Sequence, residues 1–479
     1  MGLRSGVDFK ASIRDDREVW LQGERVTDVT SNPTLSPIIE TVSRLYDLQA
    51  QPSTASSMAF VPTGRTERAA MAYMIPSSRA DLVQRRQSAQ VWCAQTFGFI
   101  GRGPDFVATV LMAFASASSF FGSVRAEYKE NVERFYEKCA SEDPFLAHAT
   151  INPPKHRDER RTDQRAYGRL RVVQEKSDFL IVRGLRMIST MAPVSNDLVV
   201  FPLSGYDDGD DAFTVAFWIP VATPGLKLVC REPSSMRSVD GLRVSDWFDE
   251  MDATVIFDDV RIPRDNVFFS GDPALANRLY DITTARHHAA HHGAIRAAAK
   301  SLVTAGVAIE LAEASGASRH LHVQEMLGEL LSYHHLIRGA LLLAESEGYV
   351  SQWGSMCPSL EPLLSVRYQF PQMYQRMLEV IQIVGAGSLI SAPTKSDLKS
   401  PIGELVRDIF QTGGSDSWFR LLKLGWEIAG SAFGQRQLQY ERYHAGDPVR
   451  IAAGLYTAHD NAAWRNAVNE LVKFDKDFC

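Results

Sequence analysis

An α+β fold, with helices at both ends and strands between them, is predicted by three observations. Apolar residues recur at helical spacing from Ser36 to the Asp143-Pro144 break, alternate in short β-branched runs from Leu170 to Phe257, and return to helical spacing from Asn277 onward. The Pro153-Pro154 pair marks the first change, because the proline ring removes an N–H donor and holds its predecessor out of the α region. At 479 residues the chain is too long for one compact core. The expected division is 1–149, mainly helical; 150–270, a central antiparallel β-barrel; and 271–479, a helical bundle.

Taken in order, Glu18-Val-Trp-Leu21 and Arg25-Val-Thr-Asp28 read as short strands before Asn32-Pro33. Ile38, Ile39, Val42, Leu45 and Leu48 then form one helical face, and Ser77-Ser78 offers a cap for the next helix. Asp105 is expected to cap a buried helix starting at Phe106, leaving Arg102 in the loop before it. Strands are expected over 170–173, 179–183, 198–202, 213–219, 226–231 and 253–257, with Asp258-Asp259 and Pro263 closing the section. Helices are expected over 279–314, 323–346 and 370–384, with a last group after Asp416.

A net charge of −6 gives no general attraction to nucleic acid, which is excluded as a partner. Cys93, Cys139, Cys230, Cys357 and Cys479 are scattered and lack any Cys-x-x-Cys spacing, so the expectation is reduced thiols, a cytoplasmic location and no bound metal. The window 106–121 is too short and too rich in Ala and Ser for a membrane span, and the first residues carry no signal-like apolar run. No Gly-x-Gly-x-x-Gly follows a strand, so a nicotinamide cofactor in a Rossmann site is not expected.

The stretch from His148 to Arg157 packs two histidines, Lys155 and Arg157 into a seam between domains, a common place for a ligand pocket. Arg102 and His148 would make a cation and an acid–base group able to handle a phenol proton and hold the phenolate. A buried histidine satisfied by a carbonyl accounts for His148 equally well. The cluster His287, His288, His291 and His292 has His288 and His292 four apart, but no His-Glu-x-x-His motif. Polar lining of an interdomain cleft is the reading adopted for His288 and His292, with plain helix-surface histidines as its rival.

Seven collinear segments carry a more specific signal: Asp15 to Val26, Leu45 to Gln49, Gly101-Arg-Gly-Pro-Asp-Phe106, His148-Ala-Thr-Ile-Asn-Pro153, Glu250 to Val260, His322-Val-Gln-Glu325, and Gly434-Gln-Arg-Gln437 with Gly446-Asp-Pro-Val-Arg450. In these the chain resembles the oxygenase component of the 4-hydroxyphenylacetate 3-monooxygenase family. The resemblance implies an acyl-CoA-dehydrogenase-like fold, assembled as a homotetramer. It also implies a two-component system, in which a separate NADH-dependent reductase supplies reduced FAD. With molecular oxygen a flavin C4a-hydroperoxide forms, and a phenol-type substrate is hydroxylated ortho to its hydroxyl.

Carried over position by position, the resemblance implies that Arg102 and His148 act at the substrate hydroxyl and that His148 also touches the cofactor. It implies that Thr190 meets the flavin, that Pro154, Lys155, His156 and Arg157 lie along FAD, and that Asp447, Pro448, Val449 and Arg450 form a second flavin segment. Three departures stand out. Phe106 replaces a tyrosine, Pro154 replaces a glutamine, and Leu203-Ser204 replaces a Ser-Thr pair that faces the carboxylate of 4-hydroxyphenylacetate. A carboxylate stripped of donors loses roughly 1–3 kcal/mol per partner. The expected substrate is therefore another aromatic compound, contacting Phe106, Leu203 and Ser204: a tyrosine derivative, an indole, or an intermediate tethered to a carrier protein.

Two rivals share this fold. A 4-hydroxybutyryl-CoA-dehydratase-like lyase needs an iron–sulfur cluster, and Cys93 has no second cysteine four residues on. A repurposed, non-catalytic scaffold would fit the Phe106 and Pro154 changes, but Arg102, His148 and Thr190 remain.

Overall fold

The computed structural model describes residues 3–153, 168–234, 244–409 and 416–478. Its helical, strand-rich and helical thirds follow one another in the order the sequence predicts. Strands of the centre form two sheets. The larger runs, edge to edge, Glu24–Val26, Glu18–Leu21, Leu226–Cys230, Asp252–Pro263, Phe179–Thr190 and Arg171–Glu175. The smaller runs Val267–Ser270, Val215–Pro220, Asp197–Val200 and Leu146–Ala149. Phe217 of the smaller sheet and Phe257 of the larger meet edge to face at 6.0 Å, both fully buried, so the sheets share one apolar interior.

Among the described residues the strands do not close into a single ring, and the pairing is not wholly antiparallel. Glu18–Leu21 runs parallel to Leu226–Cys230, and Leu146–Ala149 runs parallel to Asp197–Val200. Both parallel strands come from the N-terminal third, so the first domain is stitched into the central sheets. One continuous apolar core runs from Phe9 to Phe433.

Several local expectations need correction. His148 follows the Ala126–Glu142 helix and sits on a strand the sequence did not announce, Leu146–Ala149. The strand expected to stop at Asp258-Asp259 continues to Pro263, because a bulge with Asp259 at φ 52° absorbs the pair. The helix at 104–116 starts at Pro104 with Gly103 as its cap, and Asp105 lies in its first turn. The helix expected from Phe370 begins ten residues earlier, at Leu360, and carries Pro371 inside it. Ser78 does cap Arg79–Thr96, in a reciprocal box with Asp81.

The Ala285–Ala314 helix, 30 residues long, is the axis on which the site is built. Gly98, at φ 72°, ends the turn after Arg79–Thr96 so close to that helix that a Cβ would lie 2.7 Å from Arg296 O. The chain then passes Gly101 and Arg102 into the Pro104–Ser116 helix, buried on nearly every face. No described helix is long and apolar enough to cross a membrane.

Candidate active site

A cavity of about 590 Å³ lies where the Pro104–Ser116 helix, the ends of both sheets, the Ala285–Ala314 helix and the Ala432–Tyr443 helix converge. Arg102, Phe106, His148, Thr190, Leu203 and His292 all line it, although they come from four separate elements and two loops. Phe106 is their common neighbour. Arg102 stacks over its ring at 4.0 Å, His148 lies 5.6 Å away and His292 meets it edge-on at 5.4 Å.

Arg102 is held by partners distant in sequence. Arg102 donates from Nη1 to the Tyr440 hydroxyl at 2.6 Å and to Gly101 O, and from Nη2 to His444 O. Its backbone N–H, with that of Gly101, donates to Glu250 Oε1 at 2.7 and 2.8 Å. A Cβ on Gly101 would overlap the Tyr440 hydroxyl, so glycine is required for this approach. The Tyr440 ring lies flat on His444, 4.7 Å away. Burial pushes the Tyr440 hydroxyl up to about 12, so it stays protonated. Burial, reinforced by the Arg102 charge, pushes His148 down to about 3, and its Nδ1 has no partner. His148 is thus a neutral imidazole beside a guanidinium.

Across the cavity, Thr190 Oγ1 donates to Asp252 Oδ1 at 2.6 Å. Asp252 also takes two-pronged bonds from Arg436 and one from Arg231. Burial would raise its carboxyl, but these cations hold it well below the carboxylate range. Arg436 reaches on to Glu250, which joins this knot to Arg102. Near by, Arg296 and Lys300 share Glu441 at 2.6 Å each.

The histidine cluster does not act as one group. His288 points away from the large cavity, its Nε2 3.8 Å from Cys357 Sγ, so it is not brought to the site with His292. His291 bonds to Glu345 at 2.8 Å. His292 lies 2.9 Å from Asp105 Oδ2, out of line for a hydrogen bond. Among the described residues no three His, Cys, Asp or Glu side chains are grouped to hold a metal.

Ser204 is exposed and outside the cavity lining, while Leu203 forms part of its wall. Asp447, Pro448, Val449 and Arg450 open a surface helix beyond the rim, where Asp447 caps Val449 N–H; Ala445 and Gly446 line the cavity in their place. Pro154, Lys155, His156 and Arg157 lie outside the described residues. Sequence reasoning gave no role to Tyr440, His444, Asp252, Arg296, Arg367 or Arg436, all of them in the lining. The signal was present for two, since Asp252 and Arg436 fall within the Glu250 to Val260 and Gly434 to Gln437 segments.

The family models described as 4-hydroxyphenylacetate 3-hydroxylase N terminal and C terminal match residues 5–269 and 276–473. The 4-hydroxyphenylacetate 3-monooxygenase oxygenase component of Thermus thermophilus is 33% identical over 98% of this chain and 97% of its own. The oxygenase component of 4-nitrophenol 2-monooxygenase from a Rhodococcus species is 31% identical, over 92% and 86%. A Streptomyces globisporus monooxygenase named for a peptidyl-carrier-bound 3-chloro-4-hydroxyphenyl substrate is 27% identical, over 92% and 85%. A crystal structure of the oxygenase component of 4-hydroxyphenylacetate 3-monooxygenase complexed with FAD superposes with a TM-score of 0.93, at 32% identity and 99% coverage of both chains. An archaeal 4-hydroxybutyryl-CoA dehydratase shares the fold at 18% identity, TM-score 0.86, over 98% and 95%. By sequence over nearly its whole length, this chain belongs to the 4-hydroxyphenylacetate 3-hydroxylase family.

Proposed function

We propose that this protein is the oxygenase component of a two-component, flavin-dependent aromatic hydroxylase, acting on a phenol-type substrate ortho to its hydroxyl. The observation that carries the reading is the pairing of a neutral His148 with the Arg102 guanidinium on one cavity wall, facing the Thr190 hydroxyl. A neutral imidazole accepts the hydrogen bond of the phenol O–H, and the adjacent guanidinium stabilises negative charge on the phenol oxygen, which makes the ortho carbon electron-rich. Family membership supports the same chemistry.

The residues present fit a flavin. Ile151 and Ile188 line the cavity yet are 44% and 59% exposed, and Ile188 is held at φ 52°, a costly conformation for a β-branched residue. Such an apolar ledge suits a flat ring system. Thr190 spends its proton on Asp252, so its oxygen faces the cavity as an acceptor, the polarity a ring N–H of reduced flavin requires. Reduced FAD, when bound, would supply the two electrons with which one atom of molecular oxygen enters the substrate and the other leaves as water; the apolar walls of Phe106, Val110 and Phe201 keep solvent from that chemistry.

The substrate in this proposal is not 4-hydroxyphenylacetate itself, since Leu203 and the outward Ser204 provide no donors at the place where a Ser-Thr pair would face its carboxylate. A carrier-tethered phenol, as in the name of the Streptomyces globisporus relative, belongs to the same proposal. So do a separate flavin reductase, a cytoplasmic location and a homotetramer. The last is supported by the stripe Trp464, Val468, Leu471 and Phe474, each at least 60% exposed on the final helix.

Protein supplied with FAD, NADH, a flavin reductase and isotopically labelled oxygen is expected to convert a member of a phenol panel to a catechol carrying one labelled atom. Unlabelled product, or peroxide formation with no hydroxylation across the panel, would contradict the proposal.

A further inference from the structure

Four guanidiniums line the cavity, and they are not alike. Arg296 and Arg436 are matched by the carboxylates of Glu441, Glu250 and Asp252. Arg102 has only neutral partners and is accounted for by the phenol oxygen. Arg367, projecting from the Leu360–Gly385 helix, forms no ion pair with any described carboxylate, and its Nε is buried without a hydrogen-bond partner. Its nearest help is the Tyr280 hydroxyl, which also lines the cavity. Burial depresses its affinity for its proton, an effect that the Tyr280 oxygen offsets only in part.

A half-buried cation with no carboxylate partner costs stability and is tolerated where a ligand supplies the missing anion. Tyr280 stacks on Phe201 at 6.1 Å, and Phe201 on His148 at 6.2 Å, so Arg367 belongs to the far end of an aromatic slot that starts at the acid–base pair. We propose that Arg367, with the Tyr280 hydroxyl, is an oxyanion subsite that takes the carboxylate of an aromatic acid whose phenol end lies between Arg102 and His148. This rests on the phenol-hydroxylase reading and adds a specificity-determining residue to it: the acidic group of the phenol is gripped from the Leu360–Gly385 helix and not from Leu203-Ser204. The same oxyanion chemistry is offered by the pyrophosphate of FAD, and the test separates the two.

Binding of 4-hydroxyphenylpropionate, its neutral amide and 4-ethylphenol would be measured anaerobically on the full chain with reduced FAD present. Reduced FAD and reduced riboflavin would be titrated separately. The acid is expected to bind about tenfold or more tighter than the amide, as for a charge-assisted pair. Arg367→Met should erase that preference, Arg367→Lys should keep part of it, and neither should change the affinity for reduced FAD. If Arg367→Met weakens reduced FAD but not riboflavin and leaves the acid preference intact, the anion is the pyrophosphate and the proposal falls. Equal binding of acid and amide by the unmodified protein also overturns it, while leaving the hydroxylase reading in place. If no phenol binds, acid or neutral, the hydroxylase reading fails as well.

Discussion

The two sides of the cavity use arginine in opposite ways. On one side Arg436 and Arg296 are buried in two-pronged bonds with Asp252, Glu250 and Glu441. On the other, Arg102 and Arg367 face the same space with only hydroxyl and carbonyl oxygens around them. Matched pairs lock elements distant in sequence into one frame; unmatched cations leave a potential for an anion to satisfy. Glu250 joins the sides, holding the Arg102 backbone with one oxygen and Arg436 with the other.

Breaking a matched pair should cost the most. Glu441→Gln leaves Arg296 and Lys300 buried with no carboxylate, and an unfolding free energy lower by about 3–5 kcal/mol is expected by chemical denaturation. Breaking the unmatched side should do the reverse. Arg102→Met is expected to lower hydroxylation about 100-fold while moving stability by less than about 1 kcal/mol, because water in the cavity can satisfy the three acceptors it leaves.

A carboxylate at a cost sharpens the contrast. Burial raises Asp143 to about 6, against an ordinary 3.8, although the Gln49 amide donates to it at 2.6 Å. The folded chain therefore holds this proton more tightly than the unfolded one, and stability is lost as pH rises from about 4 to about 6. Asp143→Asn should stabilise by about 1–3 kcal/mol at pH 7 and by nothing below about pH 4, as read from denaturation at the two pH values. Asparagine also tolerates the left-handed φ of 49° there. The smallest effect concerns His148. Since it titrates near 3, binding of the neutral 4-ethylphenol should change by less than about twofold between pH 5 and 8, with no break at the ordinary imidazole value of 6.5.

Local pattern made much of the frame legible. Ser78 as a cap, the buried helix at 104–116 and most central strands follow from period, capping and turn chemistry. Leu146–Ala149 escaped because its pairing with Asp197–Val200 is parallel and some fifty residues away, beyond any local signal. Arg367 escaped for a simpler reason. A helix expected only from Phe370 leaves Arg367 outside it, whereas the helix starts at Leu360 and runs through Pro371, with Phe370, Pro371 and Tyr374 all buried. At the site, Arg102 and His148 stand out by their chemistry at the seam and Phe106 and Thr190 through the family resemblance, and the structure brings all four to one cavity. Their supports were not, since Glu250, Arg436 and Tyr440 acquire meaning only through contacts spanning 148 to 338 residues.

The central claim is that this cavity holds reduced FAD and a phenol together and couples oxygen to hydroxylation. The most direct test is a single turnover: protein loaded anaerobically with reduced FAD and an acidic phenol is mixed with oxygenated buffer, and catechol is counted per flavin oxidised. Nearly one catechol per flavin is the predicted result. Failure to bind reduced FAD, or its oxidation with peroxide released and no catechol formed from any phenol tried, would contradict it.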